Sequence, residues 1–449
     1  MTAQRGQFGS RAGFILAAAG SAVGLGNIWG FPTQAASNGG AAFVLVYLVL
    51  AFLLAYPVLM AELLIGRHAH GNAVTALSSL STRPIVKAIG AGTGLLGITA
   101  ASLILSFYGI VAGWMLGFTL SYPLDLIGMS TPAQWLESSS ISRNIMLMLT
   151  FMVMTVGIVI GGVHQGIERW STRLMPILII SLVALALYVF TLEGAMTGLK
   201  VYLLPDLSKV LSGGLILKAL GAAFFSLSLG VGTMLIYGSY LSDKEHLPST
   251  GALVALVDVA IAVLAGFLIL PAMYVAAERG VEIFDASGAL LSEDTLIFSV
   301  LPALFETLGS IGAIAATAFF GLMSIAALTS SISMLEVPVA FLVEHYRWQR
   351  LWAALIAGVV IAGISTAIIL DFDTLFGLVI TITTRYAQPL LGLMMCVFAG
   401  WVWHRDSLLR ELQKNGSSAE NTWFWRIWPL YVKFVCPVIV AVILIRSIL

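Results

Sequence analysis

The chain has 449 residues, 59% of them hydrophobic and only 10% charged, with 22 basic residues balancing 22 acidic ones. A mean hydropathy of +1.00 exceeds what a water-facing domain with a single core can absorb. The even charge, without basic runs or an acidic tail, excludes nucleic acid as a partner and points to lipid instead.

In chain order, the first 11 residues read as a cytoplasmic N-terminus without a removable signal peptide. A hydrocarbon core about 30 Å thick takes roughly 20 apolar residues per helix. Cutting on that length predicts eleven spans, near 12–36, 41–66, 88–121, 144–162, 168–192, 214–241, 249–277, 309–344, 349–370, 374–403 and 426–448. The chain then divides into five helices over 12–192, an outer loop over 193–213, five more helices over 214–403, a cytoplasmic loop over 404–425 and a last helix over 426–449. With the N-terminus inside, Arg5, Arg11, Arg67, Arg83, Lys87, Arg169, Arg173, Lys244, Arg347, Arg350, Arg405, Arg410 and Lys414 all face the cytoplasm. The outer loops keep chiefly Arg143, Lys200, Lys209 and Arg279, so the expected placement is a cell's inner (plasma) membrane with the C-terminus outside. The stretch 278–308, with Glu278, Glu282, Asp285, Glu293 and Asp294, reads as a solvated outer loop. Cys396 and Cys436 lie in apolar runs and read as small hydrophobes.

Two spans are interrupted. GSAVGLGNIWGFP sets Gly20, Gly24, Gly26, Gly30 and Pro32 inside the first, and SLSLGVG sets Gly230 and Gly232 inside the sixth. Each interior glycine costs a helix about 1 kcal/mol relative to alanine, and unwound backbone survives in hydrocarbon only where it lines a cavity. Breaks five spans apart are what an inverted repeat with two discontinuous helices produces, with a binding site where they meet. The competing explanation is that the glycines only let helices pack closely.

GSAVGLGNIWGFP, NGGAAF, AFFSLSLGVG and ALTSSISM resemble signatures of the neurotransmitter:sodium symporter family, over the first ten spans. The resemblance implies an all-α polytopic membrane protein, a LeuT-type 5+5 inverted repeat with discontinuous first and sixth helices, plus an eleventh helix. It implies sodium-coupled import of a neutral, hydrophobic amino acid by alternating access. The alternatives are a compatible solute or β-amino acid such as taurine, or a receptor that binds without transporting. The free N–H and C=O groups of a broken helix suit a zwitterion and cations sharing one gap.

By the same resemblance, the substrate carboxylate meets Ala22, Gly24, Gly26 and the Tyr108 hydroxyl, while Phe225 and Ser228 hold its amino end. Ile104, Tyr108, Phe225, Val231 and Met334 wall the side-chain pocket, with Ser331 at its rim. Amine-selective relatives carry aspartate where Gly24 stands, which implies a substrate with its own carboxylate. A first sodium site would use Ala22, Asn27, Ser226 and Asp258. A second would use Gly20, Val23, Ala326, Thr329 and Ser330, hydroxyls and carbonyls being proper ligands for a hard cation. Asp258 stands where chloride-dependent relatives carry asparagine, and Ala262 where they carry a chloride-binding serine, so no chloride requirement is expected. Arg5, Phe8 and Glu344 occupy the places of the family's inner gate. Glu62 reads as an anchor for unwound backbone, and Glu336 has no assigned role. At the outer gate the family's arginine and aspartate are replaced by Gly30 and Ile380. Arg385, roughly 16 Å into its span at 1.5 Å per residue, is expected to point inward, bordering the substrate path or bonding free carbonyls near Pro389. No GxxxxGK[ST], HExxH or GxSxG is present, and the six histidines are dispersed, which argues against a pump or an enzyme.

Overall fold

The protein is described by a computed structural model covering residues 6–208, 210–284, 291, 296–416 and 419–448. It opens with α1 (Arg11–Ala22) and α2 (Gly26–Ser37), bent by 62° across the short break between them. Then come α3 (Ala41–Ala69), α4 (Pro84–Leu126), α5 (Ile141–Ile160) and α6 (Val163–Phe190). The second half holds α7 (Gly213–Ser226), α8 (Thr233–Ser239), α9 (Leu247–Glu278), α10 (Leu296–Thr307), α11 (Gly309–His345), α12 (Arg350–Leu370) and α13 (Phe372–Val402). After a 100° turn α14 (Arg405–Gln413) leads to α15 (Trp423–Ser447).

Among the described residues, eight of these helices are long and apolar enough to cross a membrane singly, and the bent pairs α1–α2 and α13–α14 bring the number to ten. An eleventh span requires α7 and α8 to be taken as one broken helix. At 43 residues, α4 is roughly 65 Å long, about twice the hydrocarbon thickness. It must therefore tilt or project from the bilayer. The outer faces carry exposed apolar side chains such as Val153, Ile180 and Val359, as a lipid-facing surface requires.

The break between α7 and α8 has a local cause. Ser228, Gly230 and Gly232 have φ of 50°, 81° and 83°, a left-handed conformation that glycine adopts freely and that no α-helix propagates through. A Cβ on Gly230 would stand 2.3 Å from the Gln388 carbonyl oxygen, so neither its backbone nor its surroundings admit a side chain. Beyond the break, α8 crosses α3 at closest approach: a Cβ on Gly66 would lie 1.9 Å from the Leu235 carbonyl oxygen, and one on Gly238 2.6 Å from that of Leu63. Small residues permit that crossing. It sets Glu62 of α3 under the unwound segment, where its Oε1 accepts the Gly230 N–H at 2.6 Å.

The supposed loop over 278–308 needs correction. Asp285, Glu293 and Asp294 lie outside the described residues, but LIFSVLPALF folds back as α10, with Leu296, Ile297, Val300, Leu301, Leu304 and Phe305 buried. The acidic stretch preceding it concealed this apolar segment. The outer loop over 193–213 likewise holds a short helix, Ala195–Leu203. It docks on α9 through the Tyr202 hydroxyl, which donates to the Val263 carbonyl at 2.8 Å.

Candidate functional site

The two breaks and the helices around them assemble three groups of polar atoms. In the first, the Asn27 side-chain amide donates to Ser226 Oγ at 2.7 Å and to Asp258 Oδ1 at 2.8 Å. Ser226 donates to Asp258 Oδ2 at 2.7 Å, and the Tyr47 hydroxyl donates to Ser226 Oγ at 2.9 Å. All four side chains are buried. A carboxylate taken out of water must be paired, fully hydrogen-bonded or bound to a cation. Three of the residues expected at the first sodium site, carried by α2, α7 and α9, thus meet. Tyr47 was not foreseen, although a buried tyrosine in an apolar span needs a partner for its hydroxyl.

In the second group, Ser330 Oγ lies 3.3, 3.3 and 3.1 Å from the carbonyl oxygens of Gly20, Ser21 and Val23. These carbonyls are exposed because α1 stops at Ala22. Thr329 Oγ1 bonds back to the Ala326 carbonyl at 3.0 Å. The expected ligands Gly20, Val23, Ala326, Thr329 and Ser330 therefore sit together on α1 and α11, with Ser21 added. Among the described residues no group of three or more His, Cys, Asp or Glu could hold a metal. A set of hydroxyls and carbonyls is suited to a hard cation and poorly suited to a transition metal.

The third group surrounds the break in the first span. The Leu25 N–H donates to Tyr108 Oη at 3.2 Å, and a Cβ on Gly24 would stand 2.8 Å from both Tyr108 Oη and Ser330 Oγ. One on Gly26 would meet the Phe225 ring at 2.9 Å. Gly24, Gly26, Tyr108, Phe225 and Ser330 are therefore in mutual reach, and the aspartate of amine-selective relatives has no room at position 24. The Ser228 N–H donates to the Phe225 carbonyl at 3.0 Å, and Ser228 Oγ donates to that of Ser21 at 3.3 Å. Ile104, Val231 and Met334 are buried, whereas the Phe225 side chain is exposed. Ser331 is fully buried, and its hydroxyl has no partner among the described residues.

At one end of the bundle the polypeptide before α1 is folded inward. Phe8 packs edge-on against Phe14 and Tyr237, at 5.3 and 5.6 Å between ring centres, and its N–H donates to the Tyr240 carbonyl. Glu168 accepts from the N–H groups of Gly9 and Ser10 at 2.7 and 3.1 Å. Arg5 lies outside the described residues. Glu344 accepts from the N–H and side-chain amide of Asn72 at 2.6 and 3.0 Å. Glu336, left without a role above, is fully buried and paired with Arg350 at 2.5 Å, while Tyr240 donates to it at 2.6 Å. At the same end Arg67 of α3 pairs with Glu411 of α14 at 2.7 Å, both about 1% exposed. Burial alone would push the Glu411 carboxyl up. Hydrogen bonds from His68 and Lys414 and the charge of Arg67 outweigh it and bring the pKa down to about 2.

At the opposite end the rings of Trp29, Trp114 and Phe298 converge. Phe298 of α10 stands edge-on to both tryptophans, at 5.5 and 5.4 Å. Trp114 also meets Phe372 and Phe376 of α13. Gly30 opens onto empty space, a Cβ there meeting nothing within 4 Å. Arg385 is exposed and forms no hydrogen bond or ion pair with a described residue. The alternative of an arginine held by the carbonyls near Pro389 is not what the structure contains.

The model of the sodium:neurotransmitter symporter family matches residues 5–143 and 129–449. The sodium-dependent transporter YhdH of Bacillus subtilis is 34% identical over 98% of this chain and 97% of its own length. A sodium-dependent transporter of Haemophilus influenzae is 33% identical over 99% and 98%. The crystal structure of MhsT in complex with L-phenylalanine superposes with a TM-score of 0.83 at 36% identity, covering 99% of this chain and all of that one.

Proposed function

The chain belongs to the sodium:neurotransmitter symporter family, and from that premise we propose that it imports a neutral, hydrophobic α-amino acid together with two sodium ions, without chloride. It is a sodium-dependent transporter and not an enzyme. The observation that carries the finer reading is the convergence of both helix breaks on oxygen-rich groups: Ser330 among three freed carbonyls, and Asn27, Ser226 and Asp258 around one carboxylate.

Coupling follows from one stretch of backbone, 20–27, that supplies ligands to both ions and to the substrate. The second sodium would bind Gly20, Val23, Ala326, Thr329 and Ser330, drawing α1 to α11. The first would bind Ala22, Asn27, Ser226 and Asp258, drawing α2 to α7 and α9. The substrate carboxylate would replace Tyr108 Oη as the partner of the N–H groups between them, so each ion orders backbone that the other ligands use. Asp258 supplies the negative charge that a bound anion would otherwise give the first sodium. The bound L-phenylalanine of MhsT and the apolar side chains of Ile104, Val231 and Met334 support a large neutral substrate.

Loop charge supports a cytoplasmic N-terminus, which would put Phe8 and the Glu336–Arg350 pair at the inner end. At the outer end the aromatic cluster stands where an ion pair would close the path, and Arg385 borders that path. The 5+5 division over 12–192 and 214–403 makes α1–α2 and α7–α8 counterparts. The test is thermal stabilisation of the purified protein by each of the twenty amino acids, taurine and betaine, in sodium and in potassium. Stabilisation by leucine, methionine or an aromatic amino acid only in sodium is the expected result, and equal effects in both salts would refute the symport reading. Binding without uptake by proteoliposomes would favour the receptor.

A further inference from the structure

Away from the central site, a groove of about 260 Å³ opens on the outer surface between α3 and α15, lined by Phe52, Leu53, Tyr56, Trp423, Ile427 and Tyr431 among others. Phe52, Leu53, Trp423 and Ile427 are exposed. Two polar atoms of the lining are turned away from it: the Tyr56 hydroxyl donates to the Pro248 carbonyl at 2.9 Å, and the Trp428 indole N–H to that of Pro57 at 3.1 Å. What faces the groove is therefore hydrocarbon. From Trp423 to Tyr431 it follows α15 for roughly 12 Å at 1.5 Å per residue, a length suited to a stretch of acyl chain.

Two exposed arginines lie near the Trp423 end of the groove. Arg426 lies 5.9 Å over the Trp423 ring and Arg405 of α14 lies 5.2 Å over the Trp425 ring. Both arginines are exposed, and neither is ion-paired with a described residue. Of the nearby acids, Asp406 faces His404 at 3.7 Å, and Glu420 is exposed in the turn before α15. This is the end of the bundle that holds Phe8, Arg67 and Lys414. Tryptophan at a span terminus marks the membrane interface, a guanidinium is shaped to grip phosphate, and basic pockets between spanning helices take anionic head groups.

We propose that the α3–α15 groove binds one anionic glycerophospholipid, its acyl chain along Phe52, Tyr56 and Ile427 and its phosphate on Arg426 and Arg405. The site is separate from the central one and its test does not depend on transport. Purified, delipidated full-length protein is titrated in detergent with phosphatidylglycerol or phosphatidylcholine carrying identical brominated chains, and tryptophan fluorescence is followed. Phosphatidylglycerol is expected to quench saturably at roughly thirtyfold lower mole fraction, since two arginines at a membrane surface supply about 1 kcal/mol each. Arg426→Gln and Arg405→Gln, both on exposed side chains, should each shrink the preference while leaving sodium-dependent thermal stabilisation unchanged. Leu53→Phe, which narrows the groove, should weaken both lipids equally. Equal quenching by the two lipids in the native protein, or a preference that survives the loss of both arginines, overturns the proposal.

Discussion

Replacing Gly24 by alanine perturbs the site at its narrowest point. Each hydroxyl flanking the new Cβ would have to retreat by about 0.6 Å to pass from 2.8 Å to the 3.4 Å of ordinary contact. Neither is free to do so. Tyr108 Oη holds the Leu25 N–H, and Ser330 Oγ is tied to the carbonyls of Gly20, Ser21 and Val23. Gly24 is not among the positive-φ residues, so the cost falls on the contact and not on the backbone. Overpacking of this kind costs about 1–3 kcal/mol, and 1.4 kcal/mol is tenfold in affinity. Substrate affinity should fall roughly tenfold to a hundredfold through the displaced Tyr108, and sodium affinity with it through the displaced Ser330. Gly30→Ala is the matched control: its Cβ meets nothing and its φ is −62°, so alanine should be neutral or stabilise by about 0.4–1 kcal/mol. Thermal-shift titration with amino acid at fixed sodium, then with sodium at fixed amino acid, reads both variants. Native affinity in Gly24→Ala, or an equal loss in Gly30→Ala, would refute the reasoning.

Three further outcomes are expected. Asp258→Asn combined with Ala262→Ser should convert chloride-independent uptake into uptake that rises with chloride; a native protein active only in chloride sinks that assignment. Glu411→Gln leaves the buried Arg67 uncompensated and should destabilise by about 3 kcal/mol at pH 7. Because the Glu411 pKa is depressed to about 2, its stabilisation is present above the ordinary carboxylate value of about 4.3 and is lost as pH falls toward 2. The gap in thermal midpoint between native and variant should close over that window, and a gap undiminished at pH 2 contradicts a charge effect. Phe298→Ala removes edge contacts worth about 0.5–1.5 kcal/mol each and should speed labelling of Gly30→Cys by a charged thiol reagent added outside. Background is low, Cys396 and Cys436 being buried, and unchanged labelling would deny the rings a gating part.

What could be read from the sequence was whatever hydrocarbon makes expensive. Glycines in mid-span announced both breaks, because unwound backbone in lipid needs a reason. Glu62 stood out as an intramembrane acid able to anchor unwound backbone, and Asp258 through the family resemblance. Partners joined only by the tertiary fold were not legible. Glu336 and Arg350 are separated by a turn between α11 and α12, Arg67 and Glu411 by most of the chain, and no periodicity relates them. Tyr47 was hidden because its α3 neighbours are uniformly apolar, so nothing singled out one face. For Arg385, rise per residue gives a position along the axis but not a direction around it, and the structure adds that the side chain is exposed and unbonded to any described residue. The turns of α13 from Thr381 to Ala387 are wound with a wider period, which rotates every later side chain away from a regular wheel.

The two ends of the bundle are held by different physics, and that difference bears on how the transporter responds to its surroundings. At the end that holds Phe8 the contacts are ionic: Glu336 with Arg350, Arg67 with Glu411, Lys414 with Asp243 and Glu411. The exposed members of that set are weakened by salt, the buried ones hardly at all. At the opposite end Gly30 and Ile380 contribute no charge, and Trp29, Trp114, Phe298, Phe372 and Phe376 meet through their rings. A contact built from apolar area has no charge to be screened by salt or titrated by pH. A cell's exterior varies in both while its cytoplasm does not. On the proposed orientation, an uncharged outer closure would keep the balance between open and closed forms independent of the medium, leaving sodium and substrate to set it.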